Sequence, residues 1–152
     1  MTGDKLKSAL WEADRHSKAL ISAFLDWDND QKPLSIEEIE NNPLLMRLTD
    51  QILFRFTKLQ DAIGQRLIPA TLAMMQEPYE EWAMLDRLNR LEKLGFIDVD
   101  CWLGWREIRN RLAHEYPEHD DMRLSNLYQA INAAREIITA YQNWCTRLEP
   151  YT

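Results

Sequence analysis

The chain has 152 residues, a length that fits one domain and leaves little room for a second, so we expect residues 1–152 to form a single domain. Hydrophobic residues make up 45 %, which excludes a disordered chain, and four glycines and six prolines are too few for the frequent turns of an all-β fold. The net charge of −7 is opposite in sign to that of most nucleic-acid binders, so any contact with phosphate has to be local.

Nothing in the sequence predicts export or a membrane span. Charged residues interrupt the N-terminal segment, where a signal peptide would need an apolar core, and no run of about 18 apolar residues occurs. The two cysteines, Cys101 and Cys145, lack the spacing of a metal or redox motif. We therefore expect a cytoplasmic protein with reduced, buried thiols, no metal and no other cofactor.

Helical periodicity dominates the first half of the chain. The first predicted helix carries a stripe in steps of three and four: Leu6, Leu10, Ala13, Ser17, Leu20, Phe24 and Trp27. Ser35 and Glu38 have the spacing of a capping box for one short turn. The pair Asn42-Pro43 then supplies the cap and first-turn proline of a second long helix, which is predicted to kink or break at Gly64–Pro69.

A third predicted helix begins near Pro78 and ends at Gly95. Leu91 and Phe96, on either side of that end, have the spacing of the hydrophobic contact in a Schellman cap.

Two more helices complete the chain. The fourth begins after the N-cap Asp98 and ends by about Tyr116, because Pro117 disfavours a helix before it. The last is capped by Asp120 or Asp121. Its apolar stripe consists of Leu124, Leu127, Ile131, Ala134, Ile138, Tyr141, Cys145 and Leu148. Since helices joined by short connections pack as antiparallel neighbours, the sequence predicts an all-α, up-and-down bundle of four to five helices.

The fourth helix carries the candidate chemistry. On a wheel of about 100° per residue, its predicted buried stripe consists of Cys101, Trp105, Ile108 and Leu112. Arg109 falls at the edge of this stripe. A polar arc continues round the same side through Arg106, Asn110 and His114.

Two arginines of this helix have no carboxylate within helical reach. Arg111 has Glu107 one turn before it, whereas Arg106 and Arg109 have none and repel each other. An arginine against apolar surface needs a compensating partner. Two partners are open, namely a carboxylate from another helix and the phosphate of a bound anion.

The segment Arg109–Tyr116, with the sequence RNRLAHEY, resembles the Arg-x(4)-His-x-Tyr signature of the HEPN superfamily in its HepT-like toxin branch. Asn110 matches the polar residue that commonly follows the arginine in that family. Residues 88–97 resemble the leucine-rich helix of the family and residues 54–59 a segment of its second helix. The likeness covers residues 44–130.

The resemblance implies a metal-independent endoribonuclease toxin that acts as a two-fold homodimer, with the two signature motifs in one cleft. It implies catalytic roles for Arg109 and His114 and RNA as the substrate. It also implies a nucleotidyltransferase antitoxin of the MntA type as partner, which silences the nuclease by transferring AMP to Tyr116.

Elementary chemistry adds a requirement. Metal-free RNA cleavage uses the 2′-hydroxyl as nucleophile and needs a base and an acid, which histidine provides near neutral pH. One chain has a single motif histidine, His114, whereas a dimer has two. We expect Arg109 to stabilise the growing negative charge, Asn110 to orient the phosphate or the imidazole, and Arg106 to support contact with the phosphate or RNA.

Arg109 and His114 point about 140° apart on a straight helix. Either the helix unwinds before Pro117, or each protomer lends one of the two residues to a composite site. We favour the composite site.

Other interpretations stay open. The same fold without catalysis is a substrate-binding partner of a minimal nucleotidyltransferase, and a purely structural helical adaptor needs neither Arg109 nor His114. Tyr116 has a second interpretation as an aromatic side chain that closes the end of the helix over the core.

Overall fold

The fold is helical throughout the part of the chain that the structure describes. The computed structural model describes residues 2–29, 32–113 and 119–152, and no strand occurs within these ranges. The α-helices there are α1 Thr2–Asn29, α2 Ile36–Glu40, α3 Pro43–Ala62, α4 Ile68–Met74, α5 Met84–Lys93, α6 Val99–Leu112 and α7 Asp120–Leu148. A π-helical turn, Ile63–Leu67, joins α3 to α4, and a 3-10 turn, Glu149–Tyr151, follows α7. None of the described helices is both long and apolar enough to cross a membrane.

The all-α class is therefore confirmed for the described residues, but seven α-helices exceed the predicted four to five. The difference arises because the short capped turn is a helix of its own, α2, and because the π turn divides the second long helix into α3 and α4.

Three long helices form the centre of the bundle. α1 lies along α3, and α7 packs against both α3 and α6. Their facing sides are closed by almost fully buried side chains that include Leu20, Trp27, Phe56, Leu59 and Trp144. Gln60 of α3 donates through Nε2 to the carbonyl of Trp105 at 3.0 Å, a buried bond that ties α3 to α6. Because Asp61 follows Gln60 in α3, this bond holds α6 close to Asp61.

Helix ends follow the sequence closely where a side chain or a glycine determines them. Three of the four predicted N-caps each accept a backbone N–H three positions on, at 2.9 to 3.2 Å, and these are Ser35, Asn42 and Asp98. Gly95 has a φ of 86° and ends α5. The N–H of Phe96 donates to the carbonyl of Leu91 at 2.9 Å, and both side chains are buried, so the predicted Schellman cap is confirmed.

The predicted interruption at Gly64–Pro69 is a π turn rather than a break. The N–H of Ile68 donates to the carbonyl of Ile63, five residues back, and the chain continues into α4 in spite of Pro69. Gly64 lies against α6, because a Cβ on it would be 3.3 Å from Cζ2 of Trp102. The small residue in this turn therefore allows α6 to approach the end of α3.

The predicted start of the third helix is wrong. α5 begins at Met84 rather than near Pro78. The preceding segment forms a turn, in which the N–H of Trp82 donates to the carbonyl of Tyr79 at 2.8 Å. The side chain of Arg87 reaches back and donates to the carbonyl of Trp82 at 3.2 Å. This hydrogen bond stabilises the turn in place of a further helical turn.

The predicted cap of the last helix is also wrong. α7 begins at Asp120, so that His119 occupies the N-cap position, and no side-chain cap forms there. The carboxylate of Asp120 instead pairs with Arg123 one turn on, at 3.1 Å.

Candidate functional site

An ion pair between two helices holds the first of the predicted catalytic residues. Arg109 lies in the last turn of α6, and its Nη2 is 2.8 Å from Oδ1 of Asp61 in α3. The two side chains are only 28 % and 25 % exposed, so the pair is shielded from water over most of its surface. Of the two partners that the sequence leaves open for Arg109, the described structure contains the carboxylate from another helix.

The inward face of α6 differs from the stripe predicted on the helical wheel. Trp102 and Trp105 are the buried residues at its centre, and the side chain of Cys101 is exposed. The prediction of a buried thiol at Cys101 is therefore wrong, and the other cysteine of the chain is only half-buried. The buried side of α6 therefore runs through Val99, Trp102 and Trp105, and Trp102 lies against Gly64. Arg109, at the edge of the predicted stripe, has a side chain that is 28 % exposed.

The ion pair leaves part of the guanidinium of Arg109 without a partner. Arginine has five N–H donors, and Asp61 is within ion-pair distance of Nη2. Nε of Arg109 is buried and has no hydrogen-bond acceptor among the described residues. A buried donor without an acceptor destabilises the free protein, so this group gains from an additional acceptor.

Two further residues of the predicted polar arc lie beside Arg109 on α6. Arg106 is half-buried and forms no ion pair with any residue that the structure describes, and Asn110 is exposed. Arg111 does not belong to this group, because its guanidinium donates to Glu107 at 2.7 Å and to Gln129 at 2.6 Å. The predicted intrahelical pair of Arg111 is thus confirmed. The cationic groups on this side of α6 are Arg106 and Arg109.

The other two predicted site residues, His114 and Tyr116, lie outside the described residues. α6 ends at Leu112 with Ala113 as its C-cap. The choice between an unwound helix end and a composite site of two protomers therefore stays a prediction.

Asp61 was missed by the reasoning from sequence. A helical wheel tests only pairs within one helix, and Asp61 reaches α6 from α3 across a turn whose π geometry has no simple sequence signal. The only hint is its position three residues before Gly64, where close helix approach occurs.

His16 was also underestimated. In the sequence it stands in the first helix without an evident partner, but Nη1 of Arg55 lies 2.9 Å from its Nδ1. Arginine has no acceptor, so Nδ1 accepts and the ring proton of neutral His16 is on Nε2. Burial and the positive charge of Arg55 lower the pKa of His16 below its ordinary value. His16 is therefore a neutral imidazole near pH 7 on the side of α1 that faces Arg55 of α3.

No group of three or more metal-ligating side chains occurs among the described residues. Comparison with known proteins adds no assignment, because no family model, no curated protein and no solved structure matches this chain.

The Asp61–Arg109 pair generates a quantitative expectation. In a double-mutant cycle with Asp61→Asn and Arg109→Gln, we expect a coupling of about 1 kcal/mol in the free energy of unfolding, because the pair is more shielded than an ordinary surface pair. Urea unfolding at neutral pH measures it.

The matched control is the exposed pair Glu107–Arg111, changed to glutamine at both positions. Its side chains are 67 % and 40 % exposed, and we expect a coupling of about 0.3 kcal/mol. A coupling for Asp61–Arg109 no larger than this value would show that Asp61 does not hold Arg109 in place.

Proposed function

We propose that this protein is a metal-independent endoribonuclease of the HEPN type, a toxin whose active site combines Arg109 and His114 in the cleft of a two-fold homodimer. The observation that supports it is the guanidinium of Arg109, which is mostly buried, faces its partner Asp61 through Nη2, and keeps a buried N–H donor without an acceptor among the described residues. The resemblance to the signature implies a phosphate as the partner of the part of this side chain that is exposed, 28 % of it.

The proposed reaction needs no group beyond the chain and the RNA. The imidazole of one His114 takes the proton of the 2′-hydroxyl, and the 2′-oxygen attacks the adjacent phosphorus. The bond from phosphorus to the 5′-oxygen breaks, and the other His114, as imidazolium, gives that oxygen a proton. The products are a 2′,3′-cyclic phosphate and a 5′-hydroxyl.

Arg109 acts on the phosphate oxygens, where negative charge grows as the new bond forms. Its guanidinium is planar and can meet a carboxylate on one edge and a phosphate on another. In this proposal Asp61 is a positioning residue. It holds Arg109 in one orientation against the repulsion of Arg106 before the RNA arrives. Arg106 and Asn110 contact the phosphate or the flanking RNA.

Regulation follows from the same site. We propose that a nucleotidyltransferase antitoxin of the MntA type transfers AMP from ATP to the hydroxyl of Tyr116, with loss of pyrophosphate. Tyr116 is two positions from His114 in the sequence. An anionic nucleotide attached there blocks the cleft and competes with RNA for Arg109.

A second candidate is a non-catalytic HEPN subunit that presents substrate to a minimal nucleotidyltransferase. The Asp61–Arg109 ion pair favours it in one respect, since it gives Arg109 a structural role that needs no RNA. The two candidates differ in a single measurable property, cleavage that depends on His114.

The nuclease proposal predicts cleavage of RNA in the presence of EDTA. His114→Ala should lower the cleavage rate at least about 100-fold, because it removes the general acid and base. Arg109→Ala should have an effect of similar size, because it removes the charge that stabilises the transition state. The assay follows a labelled RNA and identifies the cyclic phosphate in the product.

Two controls separate this chemistry from misfolding and contamination. His119→Ala changes an exposed histidine outside the motif and should cleave within about twofold of the wild type. An RNA with a single 2′-deoxy position should resist cleavage there. If the wild type and His114→Ala are equally inert on RNA and equally harmless when expressed, the nuclease proposal fails.

The proposed modification is tested by mass spectrometry. With an MntA-type enzyme and ATP, the wild type should gain mass in whole AMP units and Tyr116→Phe should gain none. Tyr151→Phe removes the hydroxyl of a different tyrosine, one that is 52 % exposed as a residue, and should be modified like the wild type. An adduct on Tyr116→Phe would place the modification on another residue.

A further inference from the structure

The outward sides of α1 and α3 expose two aromatic rings that lie beneath cationic side chains. Trp11 of α1 is 63 % exposed, with the guanidinium of Arg15 at 4.7 Å from its ring centroid. Phe54 of α3 is 53 % exposed, with the guanidinium of Arg55 at 5.5 Å and Nζ of Lys58 at 5.6 Å from its centroid. We call these five residues the aromatic–cation surface.

The two halves of this surface meet at His16. Arg55 donates to the imidazole at 2.9 Å, and the charges of Arg15 and Lys58 also act on it, each lowering its pKa. This hydrogen bond joins α1 to α3 at residues that are next to Arg15 and Phe54 in the sequence.

The surface is cationic although the chain as a whole is acidic. Arg15, Arg55 and Lys58 form no ion pair within the described ranges. The acidic residue that acts on His16 is Glu12, whose carboxylate pairs with Arg66 at 3.0 Å. Three cations without a carboxylate partner in a chain of net charge −7 make a local site for an anion.

We infer that the aromatic–cation surface binds single-stranded RNA and leads it toward Arg109. Exposed rings with adjacent cations are the combination that recognises unpaired nucleotides, because bases stack on the rings while the cations contact phosphates. Paired bases cannot stack in this way, so the surface selects single strands. An acidic protein would satisfy the cations, but it would not explain why the aromatic residues Trp11 and Phe54 are exposed beside them.

The surface continues along α3 to the proposed active site. Phe54, Lys58 and Asp61 are four and three residues apart and share one side of the helix, over a length of about 10 Å. Asp61 is the partner of Arg109. For the proposed nuclease, this surface would make single-stranded RNA the substrate. Only the path of the RNA toward Arg109 rests on the proposed function, because binding to the surface is measured without cleavage.

The test measures binding of a fluorescent single-stranded oligoribonucleotide by anisotropy, in full-length His114→Ala so that the RNA stays intact. Adding Trp11→Ala or Phe54→Ala should weaken binding about tenfold each, because each change removes one stacking platform. Adding Lys58→Ala should reduce the slope of log K against log salt by about 0.7, the contribution of one phosphate contact on a single strand.

Matched exposed leucines provide the controls. Leu25 of α1 is 66 % exposed and Leu85 of α5 is 53 % exposed. The variants Leu25→Ala and Leu85→Ala should bind the RNA within about twofold of the parent. A duplex RNA of the same length should bind more weakly than the single strand.

Three results would overturn the inference. The variants Trp11→Ala and Phe54→Ala could bind RNA as tightly as the leucine controls, the parent could prefer duplex RNA, or the parent could bind an acidic polypeptide such as polyglutamate as tightly as RNA. Each of these results can be told apart from a failure to cleave RNA. Binding that depends on Trp11 and Phe54 in a protein that never cleaves RNA would support this inference and the non-catalytic subunit together. Cleavage that depends on His114 but not on the two rings would remove the inference alone.

Discussion

The ion pair between Arg109 of α6 and Asp61 of α3 is the interaction on which the candidate site depends. Arg109 is mostly buried on α6, whose Trp102 lies against Gly64. There the charge would be unstable without Asp61, which meets it from α3 at 2.8 Å. The buried bond from Gln60, the neighbour of Asp61, to the carbonyl of Trp105 ties the same two helices together.

A carboxylate beside a candidate catalytic arginine fits two roles, structural and functional. As a structural pair it explains Arg109 completely except for the buried Nε, which remains without an acceptor among the described residues. As a functional pair it pre-orients the guanidinium before substrate binds, so less conformational entropy is lost when a phosphate arrives. The aromatic–cation surface gives the second role more weight, because α3 carries its cations toward the same ion pair.

Prediction from sequence succeeded at most helix ends, where the determinant is local, although the predicted cap of α7 is wrong. Ser35, Asn42 and Asp98 cap helices through their own side chains, and Gly95 ends α5 because it adopts a positive φ. It failed where the determinant is tertiary. The turn before Met84 is stabilised by Arg87 reaching back to it, and the inward face of α6 is set by a contact with another helix. Asp61 belongs to this second group, and so does the exposure of Cys101.

The most direct test of the composite site is subunit complementation. Arg109→Ala and His114→Ala chains with different affinity tags are co-expressed, and the mixed dimers are isolated through both tags and assayed on labelled RNA. If one protomer supplies the guanidinium and the other an imidazole, mixed dimers, which keep one Arg109 and one His114, should cleave faster than either pure variant. They should remain slower than the wild type, because the second His114, and with it the acid or the base, is absent. Mixed dimers as inactive as either parent, or a wild-type protein that is monomeric in solution, would contradict the account.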